Sequence, residues 1–370
     1  MKTVLRRMLA ALLFALLAGI LGMAVSAAEA VEYIDENGEK QVCTDYRLLD
    51  TDHFPDVSGV TLEGGWYVVR GKVTYQNRLR IDADFDPHDA VACEEAGLEP
   101  ARFILCDGCE LRLLQGIRLE TDSTLRIYAQ SGGTGSLYAE YNDPGEYSNR
   151  AHAVIGGNAP WGAGGYLDIN GCVIRVTGDT AGACIGGSAG GALDEVNIRG
   201  GKVSVENTGG APAIGVGLSY NSTRNRGRVC ISGGEVSTDS HFKTLRTADA
   251  IGSHYECGGL AELRITGGRV TAFGRYATVG QPQCAMMTYG DLILGDDMLV
   301  AAGYDPEHTT RAAKADRVSA IRSNTYAEVW APAPVTATVF NGGSLSLILL
   351  IAAVAAAAAA AILISRRRRR

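Results

Sequence analysis

The sequence has little of the periodicity that amphipathic helices need. No stretch places apolar residues at a 3.6-residue spacing over ten or more positions, apart from a short candidate near residues 310–321. Helical bundles, and folds that alternate strands with helices, are therefore disfavoured. Histidine is also scarce. The six histidines are scattered without the spacing of metal ligands, which argues against a histidine metal centre.

A complete cysteine motif is missing as well. Cys106 and Cys109 have the CxxC spacing of a redox or zinc motif, but no second CxxC or HxxxH completes a set of zinc ligands. Outside the cell cysteines tend to form disulfides, although nine of them leave at least one unpaired. The pattern favours structural disulfides or stacked interior thiols over a redox or metal role, and it does not define the pairing.

Long apolar segments occur at the two ends of the chain. Residues 1–28 combine early basic residues, an apolar centre and small residues at the end, which is typical of a secretory signal peptide rather than a retained anchor. Residues 345–364 are apolar except for Ser346, long enough to cross a hydrocarbon core of about 30 Å as a transmembrane helix rather than a buried one. The arginines of residues 365–370 are expected to stay in the cytoplasm. The predicted location is the cell membrane, with a single span and the body outside.

The net charge of the body is strongly negative. Residues 31–343 hold 26 basic and 40 acidic residues, a net charge of −14. Such a body repels nucleic acid and does not attract polyanions. Its partners are therefore expected to be neutral, or bridged by a cation.

One pattern recurs four times between residues 166 and 281: LDINGCVIRV, VNIRGGKVSV, VCISGGEVST and LRITGGRVTA, each followed by a short motif such as CIGG or AIGV. Its isoleucines are Ile169, Ile198, Ile231 and Ile265, so the period is roughly 29 to 34 residues, typical of stacked repeats. Short segments of alternating apolar and polar residues, separated by glycine turns, continue this pattern before and after the four repeats. The predicted fold is all-β, a right-handed single-stranded parallel β-helix (a pectate-lyase-like solenoid) over residues 61–304. Residues 31–60 are expected to cap it, and residues 305–343 to form a C-terminal segment and linker.

These motifs resemble a family of bacterial β-helix surface proteins that are often labelled carbohydrate-binding-domain proteins. The resemblance rests on the repeat together with GWYVV at Gly65–Val69, ILCDG at 104–108, LRIYAQ at 125–130 and DRVSA at 316–320. It covers most of residues 60–330. It implies the β-helix fold and a surface location, and it assigns no catalytic residues.

The segment 138–166 is the best candidate for sugar recognition, because it combines aromatic rings with polar groups. Rings contact the C–H faces of sugars while polar groups bind the hydroxyls. The candidate residues are Tyr141, Asp143, Tyr147, Arg150, Trp161 and Tyr166. The alternative is that these aromatic residues simply cover the edges of the coils.

A second candidate is a cation site at Asp82, Asp84 and Asp86, whose spacing resembles the start of a calcium loop. The segment departs from the EF-hand pattern, because Pro87 stands where a glycine is needed and Cys93 where a glutamate is needed. A solvated acidic loop is the favoured interpretation. Calcium is the one cofactor that the sequence brings into consideration.

The favoured function is therefore non-catalytic: surface display or adhesion with carbohydrate binding. The alternative is a polysaccharide lyase or glycoside hydrolase on the same scaffold, which needs paired acids on adjacent strands of one face. The outward positions of the repeat, such as Asp168, Asn197 and Glu235, share no such chemistry. The ligand cannot be read from the sequence.

Overall fold

In the computed structural model, alternation of apolar and polar residues produces short strands with one buried side. The segment Lys202–Asn207 illustrates this, because Val203 and Val205 are buried while Lys202 and Ser204 are exposed. The structure describes residues 29–82, 99–142, 152–157, 164–189, 191–217, 226–241, 248–253, 259–274, 285–286 and 290–332. Within these ranges the chain is all-β and is built mainly from long parallel sheets.

The described residues form three long sheets. The first contains β3 (Arg47–Leu48), β5 (Gly65–Val69), β8 (Ala101–Leu105), β11 (Thr124–Ala129), β14 (Gly164–Ile169), β17 (Leu193–Ile198), β20 (Arg226–Ile231), β23 (Leu260–Ile265) and β25 (Asp291–Leu294). The second contains β6 (Lys72–Tyr75), β9 (Glu110–Leu113), β12 (Ser136–Asn142), β15 (Val173–Asp179), β18 (Lys202–Asn207), β21 (Glu235–Ser240), β24 (Arg269–Gly274), β26 (Leu299–Gly303), β27 (Thr309–Arg311) and β28 (Tyr326–Trp330). The third contains β4 (Val60–Leu62), β7 (Leu79–Ile81), β10 (Ile117–Leu119), β13 (Ile155–Gly156), β16 (Ile185–Gly186), β19 (Ile214–Gly215) and β22 (Ile251–Gly252).

The chain visits the three sheets in a fixed order. From β5 to β24 it passes through the first, second and third sheets in turn, and each strand from β5 to β21 pairs in parallel with the strand three places later. We call one such pass a coil. This arrangement is consistent with a solenoid, in which each coil contacts the coils before and after it.

The repeated isoleucines stack directly on one another. Ile169, Ile198, Ile231 and Ile265 are register partners in the first sheet, as the sequence pattern predicts, and all four are buried. Isoleucines of the third sheet form a second ladder: Ile155, Ile185, Ile214 and Ile251. Each buried side chain stabilises the fold by about 1.5–3 kcal/mol. The ladders thus form a continuous apolar core.

The glycines that follow Ile155, Ile185 and Ile214 are required by close approach of the coils. Gly186 has φ +140°, and a Cβ on it would lie 2.0 Å from the carbonyl oxygen of Gly215 in the next coil. Only glycine fits such a contact. The repeated isoleucine–glycine pair is therefore explained by packing alone.

An N-terminal hairpin packs against the outside of the first sheet. Strands β1 (Val31–Ile34) and β2 (Lys40–Cys43) pair antiparallel, and Val31 and Cys43 join a small apolar cluster with Tyr128. The rings of Tyr33 and Trp66 lie 4.8 Å apart in the same cluster. The hairpin thereby shields aromatic side chains that the first coils turn outward.

At the other end of the described chain, the second sheet acquires antiparallel strands. Strand β28 lies antiparallel between β24 and β26. A 3₁₀ turn at Lys314–Asp316 and helix α1 (Arg317–Arg322) precede it, and Ile321 of α1 is buried. This helix overlaps the last part of the short helical candidate near residues 310–321, whose first residues belong to strand β27 instead.

The described residues contain no helix with the length and hydropathy needed to span a bilayer. The expected signal peptide (1–28), transmembrane segment (345–364) and arginine tail (365–370) lie outside the described ranges.

Candidate functional site

A cavity of about 570 Å³ lies at the corner where the chain passes from the second to the third sheet, in the first coils. Small-molecule sites occupy about 300–1,000 Å³, so the volume suits a small ligand. Its wall carries three guanidinium groups, those of Arg78, Arg80 and Arg118. Side-chain amides and two rings complete it, contributed by Gln76, Asn77, Gln115, Tyr141 and His152.

The strand pattern explains how the three arginines come together. In β7 the buried residues are Leu79 and Ile81, so the alternation turns Arg78 and Arg80 to the outer side. Arg118 in β10 is the register partner of Arg80, which places these two guanidinium groups in adjacent coils. Like charges directly opposite each other are destabilising unless they are neutralised.

Glu120 supplies that neutralisation. Its Oε1 lies 2.7 Å from Nε of Arg80 and 2.6 Å from Nε of Arg118, and its Oε2 accepts a hydrogen bond of 2.9 Å from Nη2 of Arg118. Arg80 also pairs with Asp82 at 3.1 Å. Two carboxylates therefore balance two of the three arginines.

Arg78 has a different environment. Its Nη2 donates a hydrogen bond to the carbonyl oxygen of Ala153, while Nε and Nη1 are closed off from solvent and have no hydrogen-bond partner among the described residues. Burial, helped by the charge of Arg118, lowers the pKa of Arg78 to about 10 against the opposing effects of Tyr141 and Glu120. The group nevertheless remains a cation at neutral pH. Guanidinium donors that are closed to solvent and have no partner are costly.

Tyr141 forms the aromatic part of the cavity wall. Its ring centroid lies 5.9 Å from the guanidinium carbon of Arg78, and its ring meets the His152 ring edge-on at 5.8 Å. Asp56 fixes another part of the wall, because its carboxylate accepts hydrogen bonds from the backbone N–H groups of Gln76 and Asn77. Cations, amide donors and a ring are thus held within one concave site.

Two of the predicted sugar-site residues fall within the described ranges, and they lie on different sheets. Tyr141, in β12 of the second sheet, lines the cavity. Tyr166, in β14 of the first sheet, is 40% exposed, and its hydroxyl pKa is raised, chiefly by the charge of Asp194. Asp143, Tyr147, Arg150 and Trp161 lie outside the described residues.

The predicted cation site is described only in part. Asp82 pairs with Arg80 beside the cavity, and Asp84 and Asp86 lie outside the described residues. In the part of the chain that the structure describes, no three His, Cys, Asp or Glu side chains are grouped so as to hold a metal ion.

The six described cysteines, Cys43, Cys106, Cys109, Cys172, Cys184 and Cys230, are all free thiols. The structure thus shows no disulfide within the described ranges. Cys109 and Cys172 are buried in the interior. Burial raises the pKa of Cys109 to about 11 and raises that of Cys172 as well. Protonated thiols are poor nucleophiles, so burial disfavours reaction at Cys109.

Polar residues on the outer face of the first sheet bind one another. The Asp168 carboxylate lies 3.2 Å from Nε of Arg126 and 3.1 Å from Nη1 of Arg199. It also accepts a hydrogen bond of 2.8 Å from the side chain of Asn197. The donors around Asp168 come from the coil before and the coil after its own, so this acid ties three successive coils together.

An acid pair that the sequence reasoning overlooked lies on the second sheet. Glu206 and Asp239 are register partners in β18 and β21, and the His241 ring lies 3.9 Å from the first carboxylate and 3.3 Å from the second. Each acid follows the isoleucine of its own repeat by eight residues, so aligning the repeats would have revealed the pair.

The sequence pattern does not reveal the cavity either, but for another reason. The alternation around Arg80 is visible in the sequence, but a polar insertion at residues 86–100 interrupts the repeat between Arg80 and Arg118. The register between these two arginines therefore cannot be counted from a regular period.

Comparison of the chain with models of protein families, with curated proteins and with solved structures gave no significant match.

Proposed function

We propose that this chain is a non-catalytic cell-surface protein that binds carbohydrate in the cavity beside Arg78 and Tyr141. The scaffold is proposed to be a right-handed, single-stranded parallel β-helix of the pectate-lyase type. The three parallel sheets and their fixed order of strands support that architecture. The signal peptide and membrane span expected from the sequence support the surface location, and the motifs shared with bacterial β-helix surface proteins support display or adhesion.

The cavity is the observation that carries the proposal. Sugar sites combine an aromatic ring with fixed hydrogen-bonding groups inside a concave surface. Tyr141 supplies the ring, and Gln76, Gln115 and Arg78 supply amide and guanidinium donors around it. The first coils place these groups on one corner, so the site is held by regular strands rather than by a loop alone.

A screen of the full chain on a glycan array, with and without calcium, tests the proposal. We expect retention on a subset of glycans, and we expect Tyr141→Ala to weaken it by about tenfold, since such rings contribute about 1 kcal/mol or more. The matched control is Tyr304→Ala, which removes an exposed tyrosine near the other end of the described chain. Equal retention of the wild-type protein and Tyr141→Ala would refute a sugar site at this cavity.

The acid pair Glu206–Asp239 favours a second candidate, a polysaccharide-active enzyme. Glycosidases use two carboxylates that flank the scissile bond. Here, however, the His241 ring contacts both acids, and the Glu206 side chain is 50% exposed on an open sheet face. Chain cleavage that appears with the wild-type protein and disappears in Glu206→Gln/Asp239→Asn would establish the enzyme. No product from any polysaccharide that the protein retains would support binding alone.

A further inference from the structure

Charge is unbalanced inside the cavity. Arg80 and Arg118 share Glu120, and Arg80 also contacts Asp82. In the described part of the chain, no carboxylate contacts Arg78, whose protein hydrogen bond goes to a neutral carbonyl group. One guanidinium charge therefore remains available in the wall of a cavity large enough for a ligand.

The N–H groups of Arg78 that have no partner indicate which ligand group would bind there. Hydrogen bonds from a guanidinium to a carboxylate are charge-assisted and about twice as strong as neutral ones. Among the described residues, Nε and Nη1 of Arg78 lack a hydrogen-bond partner, and the side chain lines the cavity. A carboxylate is the ligand group whose charge complements this unbalanced guanidinium.

We propose that the cavity recognises an acidic sugar, a uronic or sialic acid residue, whose carboxylate binds Arg78. This proposal rests on the proposed function and names its ligand class.

The rest of the wall favours a sugar over a bare anion. The side-chain amides of Gln76 and Gln115 are groups that bind hydroxyls, and Tyr141 offers a ring beside the guanidinium. The net charge of the body further limits which anionic ligands can bind. Because residues 31–343 carry a net charge of −14, a densely charged polyanion is repelled, whereas an isolated carboxylate meets the local positive charge of Arg78.

The test uses the full chain on an array in which each uronic or sialic acid glycan is printed beside its carboxyl-reduced counterpart. We expect retention on the acids, retention at least about tenfold weaker on the reduced forms, and a similar loss in Arg78→Gln, as expected for a charge-assisted pair. The matched control is Arg175→Gln, which removes an exposed arginine on the outer face of the second sheet. Circular dichroism of both variants verifies folding, and Arg78→Lys provides a second variant that retains the charge but not the planar guanidinium group.

Each remaining outcome overturns the inference. Equal retention on acidic and reduced glycans, or acidic retention that Arg78→Gln leaves unchanged, would leave the proposed sugar binding intact and remove its acidic specificity. Displacement of a retained glycan by acetate at the same carboxylate concentration would show that the site binds a bare carboxylate instead. Retention on no glycan at all would overturn both proposals.

Discussion

Gly201 lies in the coil directly after Cys172, and both residues adopt left-handed backbone conformations, with φ +84° and φ +75°. Three of the four repeats have a second glycine at this position, whereas the first has Cys172. The thiol is buried and donates to the carbonyl oxygen of Tyr128 at 3.2 Å. A cysteine is thus tolerated at position 172, where its side chain packs in the interior. At position 201 there is no space for a side chain.

Gly201→Ala is expected to destabilise the fold strongly. Its new Cβ would lie 2.4 Å from the carbonyl oxygen of Cys172, in addition to the cost of a left-handed alanine. We expect a loss of about 2–5 kcal/mol in the free energy of unfolding, measured by urea denaturation. The control is Gly71→Ala, because Gly71 has φ +65° with nothing within 4 Å of the new atom, and should lose about 1–2 kcal/mol. Equal losses in the two variants would contradict close coil packing.

Glu120→Gln should destabilise the first coils, because it leaves Arg80 and Arg118 facing each other without their shared carboxylate. We expect a loss of about 1–3 kcal/mol at neutral pH and low salt, which is smaller at high salt. Glu110→Gln, which removes a more exposed pair with Arg112, should change stability by less than about 1 kcal/mol. If the two variants behave alike, Glu120 does not hold the arginine pair.

The pH dependence of stability should reveal the contribution of the Asp107 carboxylate to the free energy of unfolding. Its carboxylate accepts hydrogen bonds from the backbone N–H groups of Thr134 and Gly132, and these bonds, chiefly that of Thr134, lower its pKa. A carboxylate with a lowered native pKa stabilises the fold above its unfolded pKa of about 3.9, and the contribution disappears as the pH falls through the native value.

Asp107→Asn should therefore be less stable than the wild type at pH 7, by less than about 1 kcal/mol because Asp107 is exposed to solvent. Urea denaturation curves of the two proteins should converge below about pH 3–4. A difference that is constant from pH 7 to pH 2.5 would show that the Asp107 charge contributes nothing.

Thiol labelling should separate interior from accessible cysteines. At pH 8 the Cys109 thiol is almost entirely protonated, because burial raises its pKa to about 11, and Cys184 is affected in the same direction. Peptide-resolved alkylation should leave both unlabelled in the native protein and label both in urea without a reductant. Cysteines that need a reductant before they label in urea would establish disulfides and contradict the free thiols.

The sequence predicts the fold well where packing repeats, and poorly where it does not. Ile169 and Ile198 are visible as partners because every coil buries the same side chain at the same place. The contact between Tyr33 and Trp66 has no such signal, because it joins a hairpin to the outside of a sheet. Arg78 looks like one more outward residue of an alternating strand. That no described carboxylate pairs with it becomes apparent only from the structure, in which Glu120 pairs with Arg80 and Arg118.

The most direct measurement is a crystal structure of the full chain with a glycan that the array identifies. Our account predicts that the sugar lies in the cavity between the second and third sheets, with a carboxylate oxygen about 2.7–2.9 Å from a nitrogen of Arg78 and the Tyr141 ring beside the sugar. A sugar bound on the outer face of the first sheet beside Tyr166, with the cavity empty, would contradict it.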